Sequence, residues 1–137
     1  MNGIFVDTGA WYALVDSDDA DHNAAAAFLT ANTMPLITTN FIFSETITLI
    51  RYRIGHEAAR SFGQKLQESS FVRITAVTHA DEERAWDIFG KYRDQDFSFV
   101  DCTSFAVMER MKLATAFAFD RHFSVMKFAV VPGKEVT

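Results

Sequence analysis

The sequence predicts an α/β fold built on a parallel sheet. The run Ile4-Phe5-Val6 is short, wholly apolar and rich in branched and aromatic residues, as suits a strand buried on both faces. Comparable runs recur at residues 36–38, 71–74, 114–119 and 128–131, and the stretches between them carry helical spacing. At 137 residues and 49% hydrophobic, the chain has the size and apolar content of one compact domain, residues 1–137.

The first strand stops at Asp7. Residues 9–15 and 23–29 then read as helices, with Asp16-Ser17-Asp18-Asp19-Ala20-Asp21 supplying a turn and N-capping groups. After the second strand, Asn40 is expected to cap a helix reaching about Arg53, with Phe41, Glu45 and Leu49 sharing one face. Gly55 marks its end, residues 56–67 form a further helix, and 71–74 the third strand. Thr78 followed by Asp81 resembles a capping box, opening a helix whose Ala85, Phe89 and Tyr92 line up toward the core. Ser98 and Asp101 repeat that signal, and Phe105 and Met108 continue the face of Asp101. A strand over 114–119 stops at Asp120, and 128–131 closes the sheet.

Composition narrows the possibilities. A lone cysteine, Cys102, rules out a disulfide framework and a multi-cysteine zinc site. A formal charge of −5 argues against coating nucleic acid through the overall field, so any such contact must be local. No basic run precedes the first apolar segment, so a signal peptide is not expected, and no apolar stretch is long enough to span a membrane. The expected location is the cytoplasm.

Carboxylates carry the functional signal. Ligands of an open parallel sheet bind beyond the carboxyl ends of its strands, and Asp7 and Asp120 both follow apolar strands. Asp101 falls in the first turn of a helix, where the dipole tolerates an anion. Glu45 sits on a face expected to bury apolar surface, where an unpaired carboxylate is costly and a bound cation would relieve it. An Asp after a strand is usually a helix N-cap, so no single member is diagnostic. The quartet together points to an all-oxygen site for Mg²⁺ or Mn²⁺ and to phosphodiester hydrolysis.

Those residues, in their local contexts, resemble the PIN-domain family, and within it the VapC-type toxins of toxin–antitoxin pairs. The resemblance is carried by Phe5-Val6-Asp7-Thr8-Gly9-Ala10-Trp11, by Asn40-Phe41-Ile42-Phe43-Ser44-Glu45-Thr46, by Ser98-Phe99-Val100-Asp101-Cys102-Thr103, and by Ala118-Phe119-Asp120-Arg121-His122-Phe123, in family order along nearly the whole chain. It implies a three-layer α/β/α sandwich with a central, mainly parallel sheet. It further implies a Mg²⁺- or Mn²⁺-dependent endoribonuclease with Asp7, Glu45, Asp101 and Asp120 as catalytic, metal-holding residues. An RNA substrate, a cognate antitoxin and a homodimer are the implied partners. Gly9 departs from the family, standing where Ser is common and leaving Thr8 as the nearby hydroxyl.

Arg121, beside Asp120, is the cation best placed for RNA phosphate, and Asp96 is either a turn residue or a support for the metal site. His122 lies beside a proposed ligand but, as a single histidine, reads as a packing or surface residue. Trp11, Trp86 and the fourteen Phe residues fit a core pattern better than a base-stacking platform. The Asp16 to Asp21 cluster lacks EF-hand spacing, and the histidines lack HExxH spacing. Two rivals remain: a regulatory domain of the phosphoreceiver type, which would want an acidic pair where this chain has Asp7-Thr8, and a PIN-like nuclease of RNA maturation outside any toxin system.

Overall fold

In the computed structural model, which describes residues 2–133, five parallel strands form one sheet in the order β3-β2-β1-β4-β5. The central strand β1 (Ile4–Val6) pairs with β2 (Leu36–Thr39) through Phe5 and Ile37, and with β4 (Thr115–Phe117) through Phe5 and Ala116. β3 (Val72–Thr75) and β5 (Ala129–Val131) form the edges. Phe5, Val6, Ala116 and Phe117 are completely buried, which is why the central strands show no polar alternation.

Among the described residues, seven helices connect the strands. α1 (Thr8–Val15) and α2 (His22–Ala31) link β1 to β2, and α3 (Asn40–Arg53) and α4 (His56–Glu68) link β2 to β3. α5 (His79–Lys91) and α6 (Phe99–Met111) carry the chain back to β4, and α7 (His122–Val125) lies before β5. The first four helices pack among themselves, as do α5 and α6, consistent with right-handed crossovers covering both faces of a three-layer α/β/α sandwich. The chain winds outward from β1 to β3, then returns to the other side of β1. The order therefore reverses between β1 and β4, and this switch point opens a crevice at the carboxyl ends of the strands.

Local chemistry fixes the helix starts. In both expected capping boxes the N-cap hydroxyl accepts from the N3 amide and the N3 carboxylate accepts from the N-cap amide: Thr78 with Asp81, and Ser98 with Asp101. Asp81 is 3% exposed and also accepts two hydrogen bonds from Arg110, each of 2.9 Å. Burial alone would raise its pKa, but the bonds from Arg110 and Thr78 outweigh it and hold the carboxyl below its ordinary value. Gly55, with φ of +140°, turns the chain between α3 and α4 in a conformation that a side chain would strain.

Several expectations need correction. Thr39, not Asn40, caps α3: its hydroxyl accepts from the Ile42 amide, while the Asn40 side chain accepts from the Val77 amide and ties α3 to the loop after β3. Asp21 occupies the N-cap position of α2 without a side-chain cap; in the same turn the Asp16 and Asp19 carboxylates accept from the Asp18 and Asp21 amides. Phe89 does not face the core. With Trp86 it is exposed, and the two rings stack beside Phe99. Phe71 is exposed too, whereas Trp11 is buried against Phe62. β4 ends at Phe117, not 119: the Ala118 amide still bonds to the Val131 carbonyl of β5, and the chain bends away at Phe119. Among the described residues no helix is long and apolar enough to cross a membrane.

Candidate active site

The switch point gathers side chains from four segments. Asp7 leaves β1 and stands at the start of α1, with its amide bonded to the Phe117 carbonyl of β4 and its carbonyl accepting from Ala10 and Trp11. The residue is 5% exposed, and its carboxylate caps nothing. Burial first, then the charges of Asp120 and Asp101, push its pKa well above the ordinary range. The Thr8 amide partly offsets this and Glu45 adds to it. Four carboxylates thus share one electrostatic neighbourhood.

Asp101 is held by its capping box at the head of α6. Burial raises its pKa, the Ser98 amide and His122 pull it down, and Asp120 pushes it up again, leaving it above the usual value. Asp120 does not follow β4 directly; it lies in the turn leading to α7, where one of its oxygens accepts from the His122 amide at 3.0 Å. Cys102, next to Asp101, is completely buried, and its thiol is pushed up to about 11 by that burial and by Asp101. It is thus protonated and inert at neutral pH.

Glu45 differs from expectation. The buried stripe of α3 is Ile42, Thr46 and Ile50, one position round from the face predicted, so Glu45 is exposed. Phe41, Glu45 and Leu49 instead look into an open groove of about 760 Å³, shared with Thr8, Thr48, Tyr52 and Val100. The apolar pattern misled because Phe41 and the half-buried Leu49 both line this groove. Thr8 is buried and accepts a 3.4 Å hydrogen bond from the Thr46 hydroxyl. At Gly9 a Cβ would meet nothing within 4 Å, so space does not explain the missing Ser.

His122 is the residue that sequence reasoning undervalued. Its Nε2 lies 2.9 Å from Asp96 Oδ1, and its Nδ1 lies 3.0 Å from Asp101 Oδ2 and 3.6 Å from Asp120 Oδ2. The contacts of Nδ1 are close but not aligned for hydrogen bonding, so this buried nitrogen has no hydrogen-bond partner. Arg121 reaches Asp96 Oδ1 at 3.3 Å in an exposed pair, a type that adds little stability. Asp96 therefore serves both His122 and Arg121 and is more than a turn residue.

Donor atoms of Asp101, Asp120 and His122 lie within 4.8 Å of one another, a cluster able to hold a divalent ion. The residues fit such an ion: oxygen donors predominate, like charges crowd together, and an orphaned nitrogen faces them. Asp7 is near enough to feel the charges of Asp120, Asp101 and Glu45, but neither Asp7 nor Glu45 belongs to this cluster, and Glu45 faces the neighbouring groove.

Comparison with known proteins identifies the family of the fold. Residues 4–129 match the PIN domain family. The chain is 39% identical over 128 residues to a 23S rRNA-specific endonuclease, VapC20, of Mycobacterium tuberculosis, covering 93% of this chain and 97% of the relative. It is 25% identical to ribonuclease VapC26 of the same organism, covering 94% and 100%. The crystal structure of VapC20, described as a sarcin-ricin loop cleaving toxin, superposes with a TM-score of 0.88 at 38% identity, over 93% of this chain and 97% of the other. FitAcB from Neisseria gonorrhoeae shares the fold at 15% identity, with a TM-score of 0.69 and coverage of 93% and 95%. The chain belongs to the PIN-domain family, on its VapC branch.

Proposed function

We propose that the chain is a metal-dependent endoribonuclease, the toxin of a toxin–antitoxin pair, and that Asp7, Glu45, Asp101 and Asp120 are its catalytic carboxylates. The observation that carries the proposal is the mutual charge of these groups: Asp7 is buried yet feels the other three, an arrangement that raises its pKa and costs stability unless a cation compensates. A divalent ion, Mg²⁺ or Mn²⁺, supplies an activated water and neutralises charge developing on the phosphoryl oxygens.

The protein's part is to hold and aim. Asp7 is fixed by the β1–β4 backbone bond and Asp101 by its capping box, so neither carboxylate must be ordered when substrate arrives. Arg121 is exposed and loosely paired, free to exchange Asp96 for an RNA phosphate. Thr8 lies at the edge of the open groove, within reach of the bound chain.

The test is cleavage by purified protein of 23S rRNA, the substrate for which the 39% identical relative is named, with Mg²⁺ or Mn²⁺, with EDTA, and with the Asp7→Asn variant. Cleavage is expected only in the metal-loaded wild type. Full activity in EDTA or in the variant would sink the mechanism. For the toxin role, induced expression should arrest growth with wild type but not with Asp101→Asn; equal growth would count against it. A cytoplasmic location, a cognate antitoxin and a homodimer belong to the same proposal. The exposed Trp86 and Phe89, beside the half-buried Phe99, support a self-association surface.

A further inference from the structure

We propose that His122 is a nitrogen ligand of the metal through Nδ1, held in that role by Asp96, so that the site takes a first-row transition ion such as Mn²⁺ ahead of Mg²⁺. The inference rests on the metal-dependent reading above and adds a donor that no carboxylate scheme contains.

The ring's two nitrogens have different surroundings. Nε2 meets Asp96 Oδ1 at 2.9 Å, and a carboxylate is an acceptor, so Nε2 carries the hydrogen. In the neutral ring that leaves a lone pair on Nδ1. A hydrogen on Nδ1 would find no aligned acceptor, since that nitrogen is buried and without a hydrogen-bond partner. Its nearest neighbours are instead Asp101 Oδ2 at 3.0 Å and Asp120 Oδ2 at 3.6 Å, both carboxylate oxygens. Two adjacent donors on an octahedral ion with bonds of about 2.1 Å stand roughly 3 Å apart, which the Nδ1–Asp101 spacing matches.

Asp96 completes a pattern typical of metal-bound histidine, in which the far ring nitrogen donates to a carboxylate that fixes tautomer and ring orientation. Phe97 holds the ring from the side, its centroid 5.4 Å away and nearly perpendicular. The turn of Asp120 supports the backbone as well, because its other oxygen accepts from the His122 amide. Asp96 is thus a positioning residue, and His122 the ligand it positions. One imidazole among carboxylates favours transition ions, which bind nitrogen well, over Mg²⁺, which prefers oxygen and keeps its waters.

The experiment uses untagged, metal-free full-length protein, so that no added histidine competes, and Mn²⁺ as probe. Electron spin-echo modulation of the Mn²⁺-loaded protein should reveal histidine nitrogen coupling in wild type, and none in His122→Gln. Titration followed by Mn²⁺ resonance should show affinity falling roughly 10–100-fold in Asp96→Asn, with the nitrogen signal weakened. Competition should show His122→Gln losing more affinity for Mn²⁺ than for Mg²⁺. Circular dichroism melts establish that each variant is folded; if His122→Gln does not fold, the wild-type nitrogen signal and Asp96→Asn decide. Mn²⁺ binding without nitrogen coupling, or coupling that survives in His122→Gln, overturns this inference alone. A protein that binds no divalent ion overturns the metal-dependent reading and this inference with it.

Discussion

A carboxylate that is buried, bears no cap and faces three others is a liability to the folded state, and Asp7 is such a residue. Its folded pKa lies above the unfolded one, so its contribution to stability is lost as pH rises through the folded value. At neutral pH without divalent ions the charge is a cost. Asp7→Asn should therefore melt about 3–5 °C higher than wild type in EDTA, while losing more than about 100-fold in RNA cleavage with metal. Thermal melts in EDTA and cleavage rates check both halves. A melting temperature lower than wild type would mean that the carboxylate serves stability, not function.

At the scale of elements, α5 and α6 are joined by the pair Asp81–Arg110, and the buried partner is the one with most to lose. Asp81→Asn removes a charged acceptor from Arg110 and half of a capping box, at an expected cost of about 1.5–3 kcal/mol in urea unfolding. Because the folded pKa of Asp81 is lowered, its contribution is complete above the ordinary aspartate value of about 3.9 and disappears as pH falls through the folded value. The gap between wild type and variant should thus close in acid; a constant gap down to pH 2 would assign the loss to packing instead. The same helices show what could be read from sequence. Thr78 with Asp81 and Ser98 with Asp101 were legible because a capping box is local, needing only residue types at fixed spacing. The strand ends were legible to within about two residues. Glu45 was singled out on a face that proved not to be the buried one, since periodicity alone cannot tell an apolar groove from an apolar core. His122 was underweighted because its value depends on Asp96 and Asp101, remote in sequence, and α7 was missed because four residues carry no period.

On the surface of the whole molecule, Trp86 stands 66% exposed beside Phe89 and Phe99, an apolar cluster of the kind that association covers. If it joins two copies, Trp86→Ala should shift sedimentation from dimer to monomer at micromolar concentration without lowering the melting point of the monomer; an unchanged dimer would place the contact elsewhere. The sheet order has a consequence of another kind. Phe5, paired with Ala116, must wait for almost the whole chain before β4 can dock beside β1, and only then do Asp7 and Asp120 meet. A nascent chain emerging from the ribosome has Asp7 and Glu45 long before it has the other side of the crevice. On the proposed mechanism the ribosome is safe from the enzyme it is making until the last strands are released, and a message cut short upstream of β4 yields a harmless product.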